Sequence, residues 1–138
     1  MNENDYFMKI AEIVKMRSGC TRRQVGAVFV LDKRIASTGY NQSPSGVKHC
    51  DVNGCTIVNG HCIRAIHAEL NGILNATRAG QSLKGSDVYV TSMPCLRCLM
   101  ALRNAGIGKV FYREDYKCSD EEANLYIELM NHFQFQKI

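Results

Sequence analysis

The chain has 138 residues, of which 46% are hydrophobic, and its formal net charge is +4. This length favours one domain over residues 1–138 with a buried core. The positive charge is scattered, which fits an anionic small molecule or nucleic acid and fits a solvated surface equally well. The first residues are polar and acidic and no long apolar run follows, so we expect no signal peptide, no membrane span and a cytoplasmic location.

Cysteine usage is high for a chain of this length, with seven residues of this type. An odd count without a secretion signal argues against a disulfide framework and favours metal ligation. The seven are Cys20, Cys50, Cys55, Cys62, Cys95, Cys98 and Cys118.

The amino-terminal part predicts a helix followed by a β-hairpin. Residues 4–17 place apolar side chains at helical spacing, with Asn4 or Asp5 as the cap. Residues 25–30 and 34–40 are apolar and β-branched segments separated by a turn, which predicts two antiparallel strands.

A turn-rich loop over residues 41–46 follows the hairpin directly. Binding groups concentrate in loops at strand ends, so Asn41 is a candidate ligand contact. An ordinary turn asparagine is the alternative explanation.

Residues 47–62 form a segment with little apolar pattern and several possible metal ligands. A long loop of this kind needs something to order it, and a structural zinc ion would contribute folding free energy directly. Free buried thiols are the alternative, and spacing does not decide which ligands would bind. We predict a second, structural zinc held by Cys20, His49, Cys55 and Cys62, with Cys50 and His61 as alternates.

The remainder alternates helices and strands, which predicts an α/β fold with parallel crossovers. Helices on both faces of a mixed, roughly five-stranded sheet give an expected three-layer α/β/α architecture. The predicted elements are a helix over 64–79, a strand over 87–91, a helix from Pro94 to Gly106, a strand over 109–113, a helix over 118–130 and an edge strand over 133–137.

The strongest motif is His67-Ala-Glu69 followed by Pro94-Cys-Leu-Arg-Cys98. One imidazole and two thiolates suit Zn²⁺, and three protein ligands leave a fourth position open for water. Cys95 and Cys98 are three residues apart and share one face of a helical turn. Glu69 is close enough to reach that water without being a ligand.

This H-x-E and P-C-x-x-C pattern is the signature of zinc nucleobase deaminases. Zinc lowers the pKa of bound water to about 7, and a neighbouring carboxylate can shuttle the protons that hydrolytic deamination requires. A purely structural site would normally have four protein ligands. The motif therefore predicts a catalytic zinc held by His67, Cys95 and Cys98, with Glu69 as the proton shuttle.

Beyond the motif, the chain resembles the bacterial and phage deoxycytidylate (dCMP) deaminases of the cytidine deaminase superfamily. The resemblance extends over nearly the whole chain. The segments that carry it are Cys20–Val28, Gly39-Tyr-Asn-Gln-Ser-Pro44, Gly60–Glu69, Tyr89–Cys95, Ala105-Gly-Ile107 and Glu114-Asp-Tyr116. Two departures from the commoner pattern are Gln42 in place of Gly and Gly72 in place of Ala, the latter costing about 1 kcal/mol of helix propensity.

The resemblance implies a cytidine-deaminase-like fold and conversion of dCMP to dUMP. It implies that Asn41 contacts the deoxynucleotide, that the Ala68 backbone touches the pyrimidine edge, and that Tyr116 with Arg22 or Arg23 holds the 5′-phosphate. It also implies a homohexamer that dCTP activates and that dTTP with Mg²⁺ inhibits. If the chain is phage-encoded, its location would be the host cytoplasm.

Three alternatives remain open. A tRNA adenosine deaminase is disfavoured because the basic residues form no single run, and free cytidine deaminases usually carry Cys at the position of His67. A non-catalytic zinc module or nucleic-acid binder would have no need of Glu69 beside an open metal position. We therefore expect a mononucleotide substrate and no nucleic-acid or membrane partner.

Overall fold

The computed structural model describes residues 1–50 and 54–138. In these residues the α-helices are α1 (Glu3–Val14), α2 (Ala68–Arg78), α3 (Leu96–Asn104) and α4 (Ala123–Met130), with a 3₁₀ turn at Lys15–Arg17. The strands are β1 (Gly26–Leu31), β2 (Arg34–Tyr40), β3 (Ile57–Val58), β4 (His61–Cys62), β5 (Asp87–Ser92), β6 (Lys109–Glu114) and β7 (Gln134–Lys137).

Five strands form one mixed sheet in the order β2-β1-β5-β6-β7. β1 is antiparallel to both β2 and β5, whereas β5, β6 and β7 are mutually parallel. The turn between β1 and β2 places Asp32 and Lys33 at φ values of 51° and 63°, the left-handed geometry of a tight hairpin turn. The prediction of a mixed five-stranded sheet is confirmed.

Helices cover both faces of the sheet, because side chains alternate along each buried strand. On one face, Phe7, Met8 and Ala11 of α1 pack against Val28 and Tyr89. The opposite face forms a second cluster with residues from α2 and α3. That cluster contains Ala27, Phe29, Ala68, Ala76, Val88, Val90, Leu102 and Val110. The predicted three-layer α/β/α architecture is therefore confirmed.

Helix α2 approaches β2 and β1 very closely at two glycines. A Cβ atom on Gly39 would lie 2.2 Å from the Ala68 carbonyl oxygen, and one on Gly72 would lie 2.4 Å from Cε2 of Phe29. Gly72 thus costs helix propensity but makes room for the Phe29 ring. The amides of Asn71 and Asn75 donate to backbone carbonyls of β2 at 2.9 Å each and hold the helix on this edge strand.

Three predicted helix starts are wrong by two to five residues. The helix predicted over 64–79 begins at Ala68, with His67 as its N-cap residue. The helix predicted from Pro94 begins at Leu96 after the N-cap Cys95. The helix predicted from Cys118 begins at Ala123.

The segment predicted to be irregular over 47–62 contains the short antiparallel pair of β3 and β4. Asn59 and Gly60 form its turn at positive φ. Residues 51–53 of that segment lie outside the described residues. Within the described parts of the chain, no helix has the length and apolar character to cross a membrane.

Candidate active site

The candidate metal ligands lie at the amino ends of two neighbouring helices. His67 is the N-cap residue of α2 and Cys95 is the N-cap residue of α3. Within the five-stranded sheet, the strands that precede these helices are β2 and β5, which run parallel to each other with β1 between them. Their carboxyl ends therefore meet at one edge of the sheet, where open α/β folds bind ligands.

The three predicted ligands converge. Nδ1 of His67 lies 3.4 Å from Sγ of Cys95 and 3.5 Å from Sγ of Cys98. For tetrahedral zinc with Zn–S of about 2.3 Å and Zn–N of about 2.0 Å, the N–S separation is about 3.5 Å. The donor set and its spacing therefore fit one zinc ion held by these three residues.

Ionisation of one of the two thiols also suits a metal, whereas the hydrogen bond with Cys95 raises the pKa of the Cys98 thiol. The neighbouring Cys98 thiol lowers the pKa of Cys95 to about 4, against burial, which raises it. The hydrogen bond with Cys95 raises the pKa of His67, while its burial lowers it. A thiolate beside a helix amino terminus is a ready metal ligand, because the helix dipole stabilises the negative charge.

Glu69 lies in the first turn of α2 and is only 4% exposed. Burial disfavours its charged form and raises the pKa of the carboxyl to about 7. A buried carboxyl two residues from a candidate metal ligand suits proton exchange with a group bound at that site.

These residues lie in a cleft of about 590 Å³. All five residues predicted to bind substrate contribute to its lining, together with His67, Glu69 and Cys95. The five are Arg22, Arg23, Asn41, Ala68 and Tyr116.

Asn41 shapes the cleft through its own hydrogen bonds. Its Oδ1 accepts from the Val25 backbone N–H at 2.8 Å, and its Nδ2 donates to the Arg23 carbonyl at 2.7 Å. The side chain is 8% exposed, with one amide N–H and one oxygen lone pair left for a ligand. Asn41 therefore orders the entry to β1 as well as lining the cleft.

The two predicted phosphate-binding arginines are held at the cleft wall. Nη1 of Arg22 donates to the Gly60 carbonyl at 3.5 Å, which links it to the β3–β4 turn. The guanidinium of Arg23 donates to Ser92 Oγ and lies 3.9 Å from Glu114.

Sequence reasoning missed other residues that line the cleft, including Arg97 and Glu122. Arg97 stands between the two cysteines of the Cys-Leu-Arg-Cys motif, so it could have been identified as a neighbour of the metal. Glu122 precedes α4 and accepts from the Ser119 backbone and hydroxyl. No local pattern places it in the cleft.

A second group of possible metal ligands lies in the segment before His67. The sulfur atoms of Cys50, Cys55 and Cys62 lie within 4.8 Å of one another, and those of Cys50 and Cys62 are 3.8 Å apart. Two thiolates on one tetrahedral zinc are also about 3.8 Å apart. Burial raises the pKa of Cys62, but the backbone N–H groups of Arg64 and Ala65 outweigh it and lower the pKa to about 7.

This grouping differs from the predicted second set. Cys50, predicted as an alternate, takes part, whereas Cys20 and His49 lie outside the group. Cys20 instead accepts from the Arg23 backbone N–H at 3.3 Å. Nδ1 of His49 is buried and has no hydrogen-bond partner among the described residues. His61 lies in β4 and lines the main cleft.

The family comparison agrees with this geometry. Residues 1–114 match the model of the cytidine and deoxycytidylate deaminase zinc-binding region. The chain belongs to this family. The match ends at the last residue of β6, so α4 and β7 lie beyond it.

Proteins with similar sequences support the same family assignment. ComE operon protein 2 of Bacillus subtilis (strain 168) is 45% identical over 123 residues, which are 89% of this chain and 65% of that protein. The deoxycytidylate deaminase of Saccharomyces cerevisiae is 35% identical over 126 residues, 86% of this chain and 39% of that enzyme. The chain thus spans less than two thirds of the length of either relative.

Among solved structures, the dCMP deaminase of cyanophage S-TIM5 in complex with dCMP and dUMP is similar throughout. The TM-score is 0.82 at 30% identity, with 97% of this chain and 95% of that chain covered. The predicted cytidine-deaminase-like fold is confirmed.

Proposed function

We propose that this chain catalyses the zinc-dependent hydrolysis of dCMP to dUMP and ammonia. The observation that carries the proposal is the convergence of His67, Cys95 and Cys98 at zinc-binding distances beside the buried carboxyl of Glu69. The complex of the similar cyanophage enzyme with dCMP and dUMP supports the choice of substrate.

The chain's own residues account for the proton transfers. When bound, zinc lowers the pKa of a water to about 7 and so supplies a nucleophile at neutral pH. Water oxygen adds to C4 of the pyrimidine, and the bond from C4 to the exocyclic nitrogen breaks. The Glu69 carboxyl takes one proton from the attacking water and gives it to ring N3. It then takes the second water proton from the new C4 hydroxyl and gives it to the amine, which leaves as ammonia.

The cleft offers matching groups to the rest of the nucleotide. The Ala68 backbone at the start of α2 would contact the pyrimidine edge, and Asn41 the deoxyribose. Arg22, Arg23 and Tyr116 would hold the 5′-phosphate, since guanidinium groups pair with phosphate through charge-assisted hydrogen bonds.

A panel of substrates tests this proposal. Zinc-loaded protein should convert dCMP to dUMP and leave deoxycytidine, tRNA and a cytosine-containing oligonucleotide essentially unchanged. Product formation is followed by chromatography, and zinc content is measured on the same sample. Turnover of tRNA or free nucleoside with no turnover of dCMP would overturn the substrate assignment.

We also propose a structural zinc at Cys50, Cys55 and Cys62. The sulfur spacing supports it, and the unpaired Nδ1 of His49 makes that residue a candidate fourth ligand. Metal analysis should give two zinc ions per chain, falling to one in Cys62→Ser. A ratio of one in the unmodified chain would contradict this second site.

Regulation follows from the family resemblance alone. We propose a homohexamer that dCTP activates and that dTTP with Mg²⁺ inhibits. Sedimentation and initial rates with and without each nucleotide test both parts. A monomer whose rates respond to neither nucleotide would remove this proposal without affecting catalysis.

A further inference from the structure

The segment that leads into Cys95 accepts a hydrogen bond from α4, which lies outside the family-matched residues 1–114. Tyr126 of α4 is 3% exposed, and its hydroxyl donates to the Pro94 carbonyl at 2.6 Å. Pro94 immediately precedes Cys95. Of the eight residues of α4, all of which the structure describes, Tyr126 alone is buried.

The Pro94 carbonyl lies outside the hydrogen-bond ladder of α3. Cys95 is the N-cap residue, and its carbonyl accepts the first helical bond from the Leu99 N–H at 2.9 Å. The preceding carbonyl therefore needs a donor from elsewhere, since buried carbonyls are rarely left unpaired. Tyr126 supplies that donor, and burial raises the pKa of its hydroxyl, which keeps the proton in place.

The loop is also tied on its other side. The Met93 backbone N–H donates to the Glu114 carbonyl at the end of β6, at 2.8 Å. Two successive residues before Cys95 are thus anchored to two different elements, β6 and α4. This double attachment holds the backbone that leads into Cys95 and the first turn of α3.

We infer that Tyr126 is a positioning residue for the zinc centre, acting through the Pro94 carbonyl on Cys95 and Cys98. Its contribution is to the geometry and retention of the metal, and the residue itself touches neither metal nor substrate. The inference rests on the zinc site of the proposed function. Outer partners of metal ligands typically contribute about 10-fold to 100-fold in metal affinity.

The test compares Tyr126→Phe with Tyr89→Phe. Tyr89 is a matched control because it is also 3% exposed and its hydroxyl also donates one hydrogen bond, to Asn4 Oδ1 at 2.7 Å, on the opposite face of the sheet. Both variants keep the aromatic ring and should lower the melting temperature by similar small amounts. Zinc affinity is measured by competition with a chromogenic chelator. The zinc ion of interest is the one that is bound by the unmodified chain and lost in the Cys98→Ser variant.

We expect Tyr126→Phe to weaken that zinc binding about 10-fold and to shift the absorption bands of the cobalt-substituted protein, with Tyr89→Phe unchanged in both. Unaltered affinity and spectrum in Tyr126→Phe, or equal losses in the two variants, would overturn the inference. Absence of Cys98-dependent zinc from the unmodified chain would instead contradict the proposed function. If Tyr126→Phe precipitates on purification, the cobalt spectrum of the freshly refolded variant decides the same question.

Discussion

The two cysteine groups of this chain differ in how the fold supports them. His67, Cys95 and Cys98 lie at the starts or in the first turn of two helices that pack on the central sheet. Cys50, Cys55 and Cys62 stand on a segment whose only described strands, in β3 and β4, have two residues each. Ile57 and Val58 of that hairpin are exposed, so it has little apolar burial of its own.

This difference indicates which of the two proposed metal sites depends on bound metal for an ordered structure. Burial of apolar surface stabilises the helices around the first group whether or not zinc is bound. The second group lacks that support, so metal binding there would supply folding free energy directly. The first centre should therefore be a preformed site, and the second a metal-ordered one.

Among changes that leave zinc bound, the largest effect should come from Glu69→Gln, which removes the proposed proton shuttle of the preformed centre. We expect dCMP turnover to fall by about 10²-fold to 10⁴-fold, because general acid–base catalysis contributes that much. Zinc content and melting temperature should stay near those of the unmodified chain. Glu128→Gln, on the exposed side of α4, is the control. Activity retained in Glu69→Gln would remove this residue from the mechanism.

The different roles of the two proposed zinc sites are distinguished most clearly by the variants Cys98→Ser and Cys62→Ser. Cys98→Ser should abolish turnover while leaving amide hydrogen exchange in β1 and β5 unchanged. Cys62→Ser should speed exchange throughout the β3–β4 hairpin and lower turnover only in part, because Gly60 and His61 also line the cleft. Exchange measured by mass spectrometry that shows no difference at residues 57–62 would contradict a metal-ordered segment.

Arg97→Ala tests whether Arg97, which lines the cleft beside the proposed catalytic zinc site, favours substrates that carry a phosphate. Loss of one guanidinium contact to a phosphate should lower kcat/KM for dCMP about 10-fold, or about 1.4 kcal/mol, without changing the residual rate on deoxycytidine. Arg103→Ala on the same helix is the matched control, since Arg103 is also exposed and does not line the cleft. Equal losses of kcat/KM for dCMP and deoxycytidine would show that Arg97 contributes to the packing of the site and not to phosphate recognition.

The smallest effect is expected from Gly72→Ala, which probes how tightly α2 is seated. Helix propensity alone predicts a gain of about 1 kcal/mol. The added Cβ would meet the Phe29 ring at 2.4 Å, so we expect a net loss of about 1–3 kcal/mol in the free energy of unfolding instead. Denaturant titration decides the sign, and a net stabilisation would show that the ring moves freely.

Much of this arrangement could be predicted from the sequence because the chemistry is local. The ligands of the proposed catalytic centre stand in two short motifs, and apolar, β-branched residues in 25–30, 87–91 and 109–113 indicate buried strands. The helix starts were missed because His67 and Cys95 occupy N-cap positions that Ser, Thr, Asp or Asn usually fill. The Asn59-Gly60 dipeptide is typical of a tight hairpin turn, so the β3–β4 hairpin could have been predicted from the sequence.

Other features depend on contacts between distant segments. The β3–β4 hairpin pairs Ile57 with Cys62 and so brings Cys62 near Cys55, which ligand spacing alone does not encode. The positions of Arg97 and Glu122 in the cleft follow from how α3 and the segment before α4 meet. The contact of Tyr126 with Pro94 joins residues 32 positions apart.

The most direct test of the central claim is the reaction of dCMP in heavy-oxygen water, with zinc content and product measured on the same sample. We predict dUMP that carries one solvent-derived oxygen at C4, ammonia in equal amount, and almost no product from Glu69→Gln. Fully zinc-loaded protein that forms no dUMP, or forms it equally well without the Glu69 carboxyl, would contradict the account.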